Sequence, residues 1–482
     1  MHRAGCQVYF GKNIRRAQHY QEKYSEETGF MKIIEGGVTA AKGFSAAGIE
    51  AGIKKSGKDM AMIYSETPCR VAGTFTTNLY KAAPVKWDQA VVRGCQKTDG
   101  SHVAEAGGSD RTASAQSEAT EDRKETAIAQ SEASGSIRNP GGWAHVVVVN
   151  SGIANACTGE EGYGYCRDTA VKAAELFGIR ENQVLVASTG VIGQQIPIDK
   201  ICAGIEAMKP MLSENAAGGS QAAEAIMTTD TVKKEAAVQI TLGGKTVTIG
   251  GMCKGSGMIH PNMCTMLSFL TTDANISGEL LQRALSASVP DTYNMVSVDG
   301  DTSTNDTCLV LANGLAGNAE ITEEGEDYQT FFEALNEVNT RLAKKMAADG
   351  EGATAMFEVK IIGAESKAQA VTICKSVVSS SLVKAMIYGH DANCGRILCA
   401  MGYSGAEFDP DRVDVSFESA AGKIKIIENG VPNGYSEEEA TRILSETAVT
   451  AIADLKMGDQ SATAWGCDLT YDYVKINADY RS

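Results

Sequence analysis

Short apolar runs separated by glycine and other turn-forming residues recur along this chain. The clearest covers residues 144–150, where four consecutive valines stand between turn formers. Similar runs occupy residues 61–64 and 71–78, and a further run over residues 184–193 ends in a glycine turn. Runs of β-branched residues with this length and these boundaries are typical of buried strands. The pattern predicts that a β-sheet forms a large part of the fold.

Other stretches place apolar residues at helical spacing. Helices are predicted over four segments, 165–177, 278–289, 328–346 and 436–455. The last segment begins with the capping-box pair Ser436 and Glu439. Its apolar residues fall on one helical face: Ile443, Leu444, Ala448, Ile452 and Leu455. Strands mixed with amphipathic helices indicate an α/β or α+β fold.

Length, charge and cysteine usage limit the classes of function. With 482 residues, the chain suffices for about two to four domains or one large two-layer body. A formal net charge of −16 would repel phosphate groups, so nucleic acid and anionic membranes are not expected partners. No apolar run reaches the roughly 18 residues that could cross a bilayer. The 13 cysteines include no Cys-x-x-Cys pair, which favours reduced thiols and a cytoplasmic location.

Two segments differ from the rest in composition. Residues 1–30 mix basic and acidic side chains, and we predict a short N-terminal extension rather than a targeting signal. Between Ala104 and Thr126 no apolar residue is larger than alanine. Such a stretch cannot bury enough surface to offset the entropy lost on ordering. Residues 95–142 are therefore predicted to be a disordered surface insertion, with a solvated, partly helical arm as the alternative.

Residues 254–270 combine a glycine-rich turn, Pro261 and, at the head of an apolar run, Thr265. A constrained loop that holds a hydroxyl against the preceding carbonyl is what self-cleavage at a threonine requires. The same residues would also suit a loop that leads into a buried strand. Other signatures fail: there is no complete phosphate-binding loop, no Gly-x-Ser-x-Gly elbow, and no metal-ligand spacing among the six histidines.

Segment 254–267 closely resembles the cleavage-site motif of the arginine-biosynthesis ornithine acetyltransferases, also called bifunctional glutamate N-acetyltransferases (the ArgJ family). The resemblance continues in residues 187–193, 298–306 and 464–473, and more weakly in 389–396. It covers nearly everything from Glu35 to the C-terminus except the insertion. It implies an α/β fold, with the layered sheet-and-helix two-domain architecture of the self-processing ornithine acetyltransferase and DmpA-like type, assembled from two large and two small fragments.

In that family the precursor cuts itself immediately before a threonine, and the resemblance places the break between Cys264 and Thr265. After the 1–30 extension, a large fragment would cover residues 31–264 and a small fragment residues 265–482. The freed α-amine, with a reference pKa of about 7.7 to 8.0, can act as base for the hydroxyl of the same residue. Thr265 is therefore the expected nucleophile.

The resemblance also implies the other site residues. Thr189 and Gly190 match the oxyanion-hole positions, where a hydroxyl and a backbone N–H stabilise developing negative charge. Lys254 is expected to bind the substrate α-carboxylate, and Glu351 the side-chain amine of ornithine. The expected substrate-binding residues are Thr228, Lys254, Thr265, Glu351, Asn477 and Ser482, with Thr229 as the alternative to Thr228.

The activity implied by the resemblance is acetyl transfer from N-acetylornithine to glutamate through an acetyl-Thr265 intermediate. No metal or nucleotide cofactor is implied, and acetyl-coenzyme A stays open as a second donor. One alternative is a self-processing hydrolase of the aminopeptidase type, in which water accepts the acyl group. Another is a catalytically silent binding protein with the same fold.

Three features depart from the family pattern. Cys264 stands where relatives most often carry alanine, and Ala392 and Cys394 stand where they commonly carry proline and tryptophan. The insertion over residues 95–142 is foreign to the family pattern. Cys264 is small enough to be compatible with cleavage, although its thiol could compete, and the departures at residues 392 and 394 bear on the local packing near the site more than on its chemistry.

Overall fold

The computed structural model describes residues 30–94, 142–260 and 266–479. The predicted N-terminal extension and the predicted disordered insertion lie outside the described residues, except for Phe30 and Gly142 at their ends. Three predicted site residues also lie outside them: Cys264, Thr265 and Ser482. Predictions that concern these segments stay predictions.

The larger of two sheets contains nine strands of the described residues. They are β1 (Met31–Ile34), β2 (Phe44–Ile49), β3 (Met60–Phe75), β4 (Trp143–Ile153), β5 (Val184–Val191), β6 (Lys234–Leu242), β7 (Lys245–Lys254), β8 (Leu267–Thr272) and β10 (Thr307–Ala312). The order is β1-β6-β7-β8-β10-β3-β4-β5, and β2 pairs with β3. β8 is parallel to β10 and β4 to β5, whereas the other pairs are antiparallel.

The smaller sheet has seven strands within the described residues, in the order β14-β13-β12-β15-β11-β16-β9. Their bounds are β9 (Val296–Ser297), β11 (Met356–Ala364), β12 (Asp414–Ser419), β13 (Gly422–Glu428), β14 (Val431–Pro432), β15 (Ala448–Asp454) and β16 (Gln460–Cys467). The described helices are α1 (Ala83–Arg93), α2 (Gly159–Phe177), α3 (Ile198–Met208), α4 (Ala216–Ala225), α5 (Gly278–Ser288), α6 (Glu326–Ala348), α7 (Lys367–Ser379), α8 (Ser381–Tyr388), α9 (Cys394–Gly402), α10 (Glu437–Leu444) and α11 (Tyr471–Ala478).

The long helix α6 connects the two sheets. It packs on β6 and β7 of the larger sheet and also contacts β16 of the smaller one. Its buried face includes Phe331, Leu335 and Leu342, which belong to one hydrophobic core shared by both sheets. Helices α1 to α4 pack on β2, β3 and β5 around a second core. This mixed α/β architecture with layered sheets and helices confirms the predicted fold class.

The valine run forms the buried centre of β4, because side chains on both faces of this strand are covered. The run predicted at residues 61–64 and the run predicted at 71–78, as far as Phe75, belong to one long strand, β3. Its pairing with β4 shifts register between Tyr64 and Cys69, where Pro68 interrupts the ladder. The prediction of strands was therefore right, and the break between them is a bulge rather than a turn.

Three of the four predicted helices are confirmed as α2, α5 and α6. The prediction over residues 436–455 is wrong in its second half. Ser436 caps α10 by accepting the Glu439 N–H, but the helix ends at Leu444, and β15 begins at Ala448. In β15 every second residue is buried, namely Val449, Ala451 and Ala453, and parallel pairing with β11 fixes this alternation. A short apolar stretch of this kind is compatible with both the helical and the strand period. Only its pairing in the sheet decides between them.

Among the described helices, none alone combines the length and apolar composition needed to span a membrane. α7 and α8 meet the criteria only as a pair, and they are bent by 58° at their junction.

Candidate active site

A cavity of about 250 Å³ opens where β5 and β7 end. Its lining includes every predicted oxyanion-hole and substrate-binding residue that the structure describes, together with the alternative residue Thr229: Thr189, Gly190, Thr228, Thr229, Lys254, Glu351 and Asn477. These residues come from positions up to 288 apart in the sequence, so the fold rather than the sequence brings them together.

The strands on either side of the predicted cleavage site are neighbours. β7 and β8 are antiparallel, and Lys254 at the end of β7 pairs with Leu267 at the start of β8. Met266, which directly follows Thr265 in sequence, lines the cavity. Thr265 and Cys264 themselves lie outside the described residues.

Thr189 and Gly190 lie at the end of β5, beside β4. The Lys254 ammonium donates to the Thr189 hydroxyl over 3.3 Å. Gly190 has a φ of +129°, and a Cβ atom there would come within 2.2 Å of the Gly152 carbonyl carbon on β4. Only glycine fits this backbone position. The close approach therefore explains why glycine occupies this position near the end of β5.

Asp230 holds two segments of the cavity wall in place. Its carboxylate accepts the Thr228 N–H at 3.1 Å and the Gly255 N–H at 2.8 Å. Burial alone would raise the pKa of Asp230, but the Lys234 and Lys254 ammonium groups lower it well below its ordinary value. Burial lowers the pKa of Lys254, against the opposing charges of Asp230 and Glu351. The cavity wall thus carries an ammonium group next to a fixed carboxylate.

Lys234 connects that carboxylate to a second one. Its side chain is fully buried, and its Nζ lies 2.6 Å from Asp230 and 2.5 Å from Asp349. Burial by itself would lower the pKa of Lys234, yet the two carboxylates raise it above the usual lysine value. Asp349 also accepts the backbone N–H of Thr231 at 3.0 Å. The result is a buried charge network behind the cavity, for which no sequence motif was recognised.

Glu351 and Asn477 contact each other in the lining of the cavity. The Asn477 amide donates to a Glu351 carboxylate oxygen at 2.7 Å, and the Glu351 N–H donates to the Ser256 carbonyl at 2.9 Å. A Cβ atom on Gly257 would come within 2.4 Å of both Glu351 carboxylate oxygens. The glycine-rich turn before the cleavage site is therefore what admits the Glu351 carboxylate. Asn477 lies on α11, so the C-terminal helix closes this side of the cavity.

The sequence motif 298–306 contributes three cavity residues to which no role was assigned: Ser303, Asn305 and Asp306. The Asn305 amide donates to the carbonyls of Ala154 at 2.5 Å and Ser188 at 2.8 Å, and so joins the ends of β4 and β5. The resemblance to a family motif was the signal that could have identified these residues. By contrast, Ala392 and Cys394, which depart from the family pattern, do not line the cavity.

The sequence is similar to known proteins of one family over most of its length. The model of the ArgJ family matches residues 45–132 and 108–482. An arginine biosynthesis bifunctional protein ArgJ of Thermotoga neapolitana is 47% identical over 441 residues, which cover 92% of this chain and 99% of that protein. The protein of the same name from Symbiobacterium thermophilum is 48% identical over 455 residues, covering 94% of this chain and 100% of that protein.

A solved structure of ornithine acetyltransferase complexed with ornithine, from Mycobacterium tuberculosis, is 32% identical. The match covers 48% of this chain and 99% of that chain, with a TM-score of 0.36. The family assignment rests on the family match and on the full-length relatives. Both extend over most of this sequence, and the family match includes all the motifs described above. The chain belongs to the ArgJ family.

Proposed function

We propose that this enzyme transfers an acetyl group from N-acetylornithine to glutamate, giving ornithine and N-acetylglutamate in arginine biosynthesis. The observation that carries the proposal is the cavity, which gathers Lys254, Glu351 and Thr189 beside the residue that follows Thr265. An ammonium and a carboxylate in one cavity suit an amino acid that has a carboxylate and a distal amine. The names of the relatives point to the same pathway.

The proposed catalyst forms by self-cleavage. The Thr265 hydroxyl attacks the Cys264 carbonyl, the peptide C–N bond breaks, and the resulting ester leaves the α-amine of Thr265 free. Hydrolysis of this ester then releases the Cys264 carboxylate and restores the Thr265 hydroxyl. That amine has a reference pKa of about 7.7 to 8.0, so it can accept the hydroxyl proton near neutral pH. Because β7 and β8 remain paired, the two fragments would stay in one sheet after cleavage.

Acetyl transfer then proceeds in two halves. Thr265 attacks the acetyl carbonyl of N-acetylornithine, and the Thr189 hydroxyl and the Gly190 N–H stabilise the oxyanion. Ornithine leaves, and the amine of glutamate attacks the acetyl-Thr265 ester. Lys254 binds the α-carboxylate in both halves, and Glu351, oriented by Asn477, binds the side-chain amine of ornithine. Thr228 and the C-terminal Ser482 complete the proposed substrate site.

The acceptor test separates transfer from hydrolysis. Purified enzyme is incubated with N-acetylornithine, with and without glutamate, and ornithine and N-acetylglutamate are quantified. The proposed transferase releases ornithine quickly only when glutamate is present, and in equal amounts with N-acetylglutamate. Full-speed deacetylation without glutamate would instead identify a self-processing hydrolase.

We also propose acetyl-coenzyme A as a second donor, without any metal or nucleotide cofactor. Incubation of the enzyme with acetyl-coenzyme A and glutamate would then yield N-acetylglutamate. No product above the uncatalysed level would limit the enzyme to the N-acetylornithine reaction.

We further propose a cytoplasmic assembly of two large fragments (31–264) and two small fragments (265–482), preceded by the 1–30 extension. Light scattering coupled to size-exclusion chromatography measures the assembly mass, and a denaturing gel measures the fragments. A mass equal to one large plus one small fragment would exclude the tetramer.

Replacing Lys254 with alanine is expected to raise KM for both substrates by about 10- to 100-fold, because a charged hydrogen bond to the carboxylate is lost. Steady-state kinetics with each substrate varied in turn measure the change. The matched control is Lys245→Ala, which removes the same charge from the exposed far end of β7 and should leave KM unchanged. Unchanged KM in Lys254→Ala would remove the carboxylate-binding role.

The Thr189→Val variant is expected to lower kcat by about 10²- to 10³-fold with little change in KM, because one oxyanion donor is lost. Thr189→Ser keeps the hydroxyl and should retain most of the activity. A loss confined to KM would instead assign Thr189 to ground-state binding.

A further inference from the structure

Asp306 is a cavity residue whose chemistry the proposed reaction has not yet used. It directly precedes β10 and is almost completely buried, yet it lines the cavity. Within the described part of the chain, its Oδ2 atom has no hydrogen-bond partner. An unpartnered buried carboxyl oxygen is costly, and it is common where a ligand or a reacting group completes the hydrogen bonding.

The surroundings of Asp306 come from four segments. Thr76, after β3, and Ser303, in the same loop, lie close to the carboxyl group, as does Met266 ahead of β8, and their polar groups oppose a rise of its pKa. The Thr76 hydroxyl donates to the Ser303 carbonyl at 2.8 Å. Lys254 at the end of β7 is the charged group that faces it. Burial raises the pKa of Asp306 well above its ordinary range, against the opposing effects of these polar groups and of the lysine charge. Burial therefore favours the protonated form of this carboxyl group, which is the form that an acid catalyst needs.

The transfer of an acetyl group out of an amide needs such a proton. An amine cannot leave as its anion at neutral pH, so its nitrogen must be protonated as the C–N bond breaks. We propose that Asp306 is a further catalytic residue, the acid that protonates the departing ornithine nitrogen. The proposal rests on the proposed acetyl transfer through Thr265.

Protons and charges balance over the two halves of the reaction. In the first half the Thr265 hydroxyl proton passes to the α-amine, the acetyl C–N bond breaks, and the Asp306 proton passes to nitrogen. Asp306 is then a carboxylate facing the Lys254 ammonium. In the second half the glutamate amine attacks the ester and gives one proton to Asp306. The C–O bond to Thr265 breaks, and the threonine oxygen recovers its proton from the α-ammonium group.

Two acetyl donors with different leaving groups test the assignment. N-acetylornithine needs an acid, whereas p-nitrophenyl acetate releases a stable phenolate that needs no proton. In Asp306→Asn, acetylation by N-acetylornithine should fall by about 10²- to 10⁴-fold, while acetylation by p-nitrophenyl acetate should stay within a few-fold of wild type. Equal losses with both donors, or full transfer from N-acetylornithine, would overturn the proposal.

The matched control is Asp301→Asn, which removes an exposed carboxylate from the same loop and should change neither rate.

Should Asp306→Asn not fold or not cleave itself, the pH dependence of the wild-type enzyme tests the same proposal. The N-acetylornithine rate should fall at alkaline pH as Asp306 loses its proton, and the p-nitrophenyl acetate rate should show no such fall. Identical alkaline profiles would overturn the role of Asp306, whereas a wild-type enzyme that neither donor acetylates would overturn the proposed function itself.

Discussion

The Thr265→Ala variant is expected to remain one unbroken chain of 50.8 kDa and to lose acetyl transfer by a factor of about 10⁴ or more. Alanine lacks the hydroxyl that attacks the Cys264 carbonyl, so neither the cut nor the free α-amine forms. The same substitution removes the nucleophile that accepts the acetyl group. A denaturing gel and the assay for ornithine release measure the two effects separately.

The control for this variant is Thr265→Ser, which retains a hydroxyl at the same position. It should still divide into a fragment of 264 residues and one of 218 residues, and it should retain measurable transfer. Two fragments from the alanine variant would mean that another group cuts the chain. Full turnover by the alanine variant would contradict the proposed mechanism.

Replacing Lys234 with methionine is expected to lower the free energy of unfolding by about 3 to 5 kcal/mol, because Asp230 and Asp349 lose their buried counter-ion. Urea unfolding measured by circular dichroism gives this value. The neighbouring Lys233 is exposed, so Lys233→Met should change the free energy of unfolding by less than about 0.5 kcal/mol. Equal small changes in both variants would show that the network adds nothing to stability.

The difference in the free energy of unfolding between wild type and Lys234→Met depends on pH through the pKa shifts of Asp230 and Lys234. The lowered pKa of Asp230 adds stability that is present above its unfolded value of about 3.9 and is lost as pH falls through its folded value. The raised pKa of Lys234 adds stability that is complete below about 10.4 and is lost as pH rises through its folded value. The difference between wild type and Lys234→Met should therefore be greatest between about pH 4 and 10.

Local pattern was sufficient for much of the architecture. The valines of β4 and the amphipathic face of α6 are periodic over enough residues to identify an element without its partners. β15 could not be identified in this way, because Ala448 to Leu455 fits either period. Its alternation became visible only through pairing with β11, whose residues are about 90 positions earlier in the chain.

The site residues also fall into those that local sequence could identify and those that only the fold brings together. Lys254 and Thr189 could be proposed because each lies in a continuous motif that resembles a known family. Lys234 could not, since its partner Asp349 is 115 positions away and neither residue lies in a recognised motif. Asp306 was within a recognised motif, but its burial and its free oxygen are properties of the packed cavity.

The intact masses of active wild-type enzyme, measured before and after incubation with N-acetylornithine, test the central claim most directly. We expect two chains, one beginning at Thr265, and we expect that chain alone to gain a single acetyl group, located by fragmentation on Thr265. Fully active enzyme with an unbroken bond before Thr265, or an acetyl group on any other residue, would contradict the proposed function.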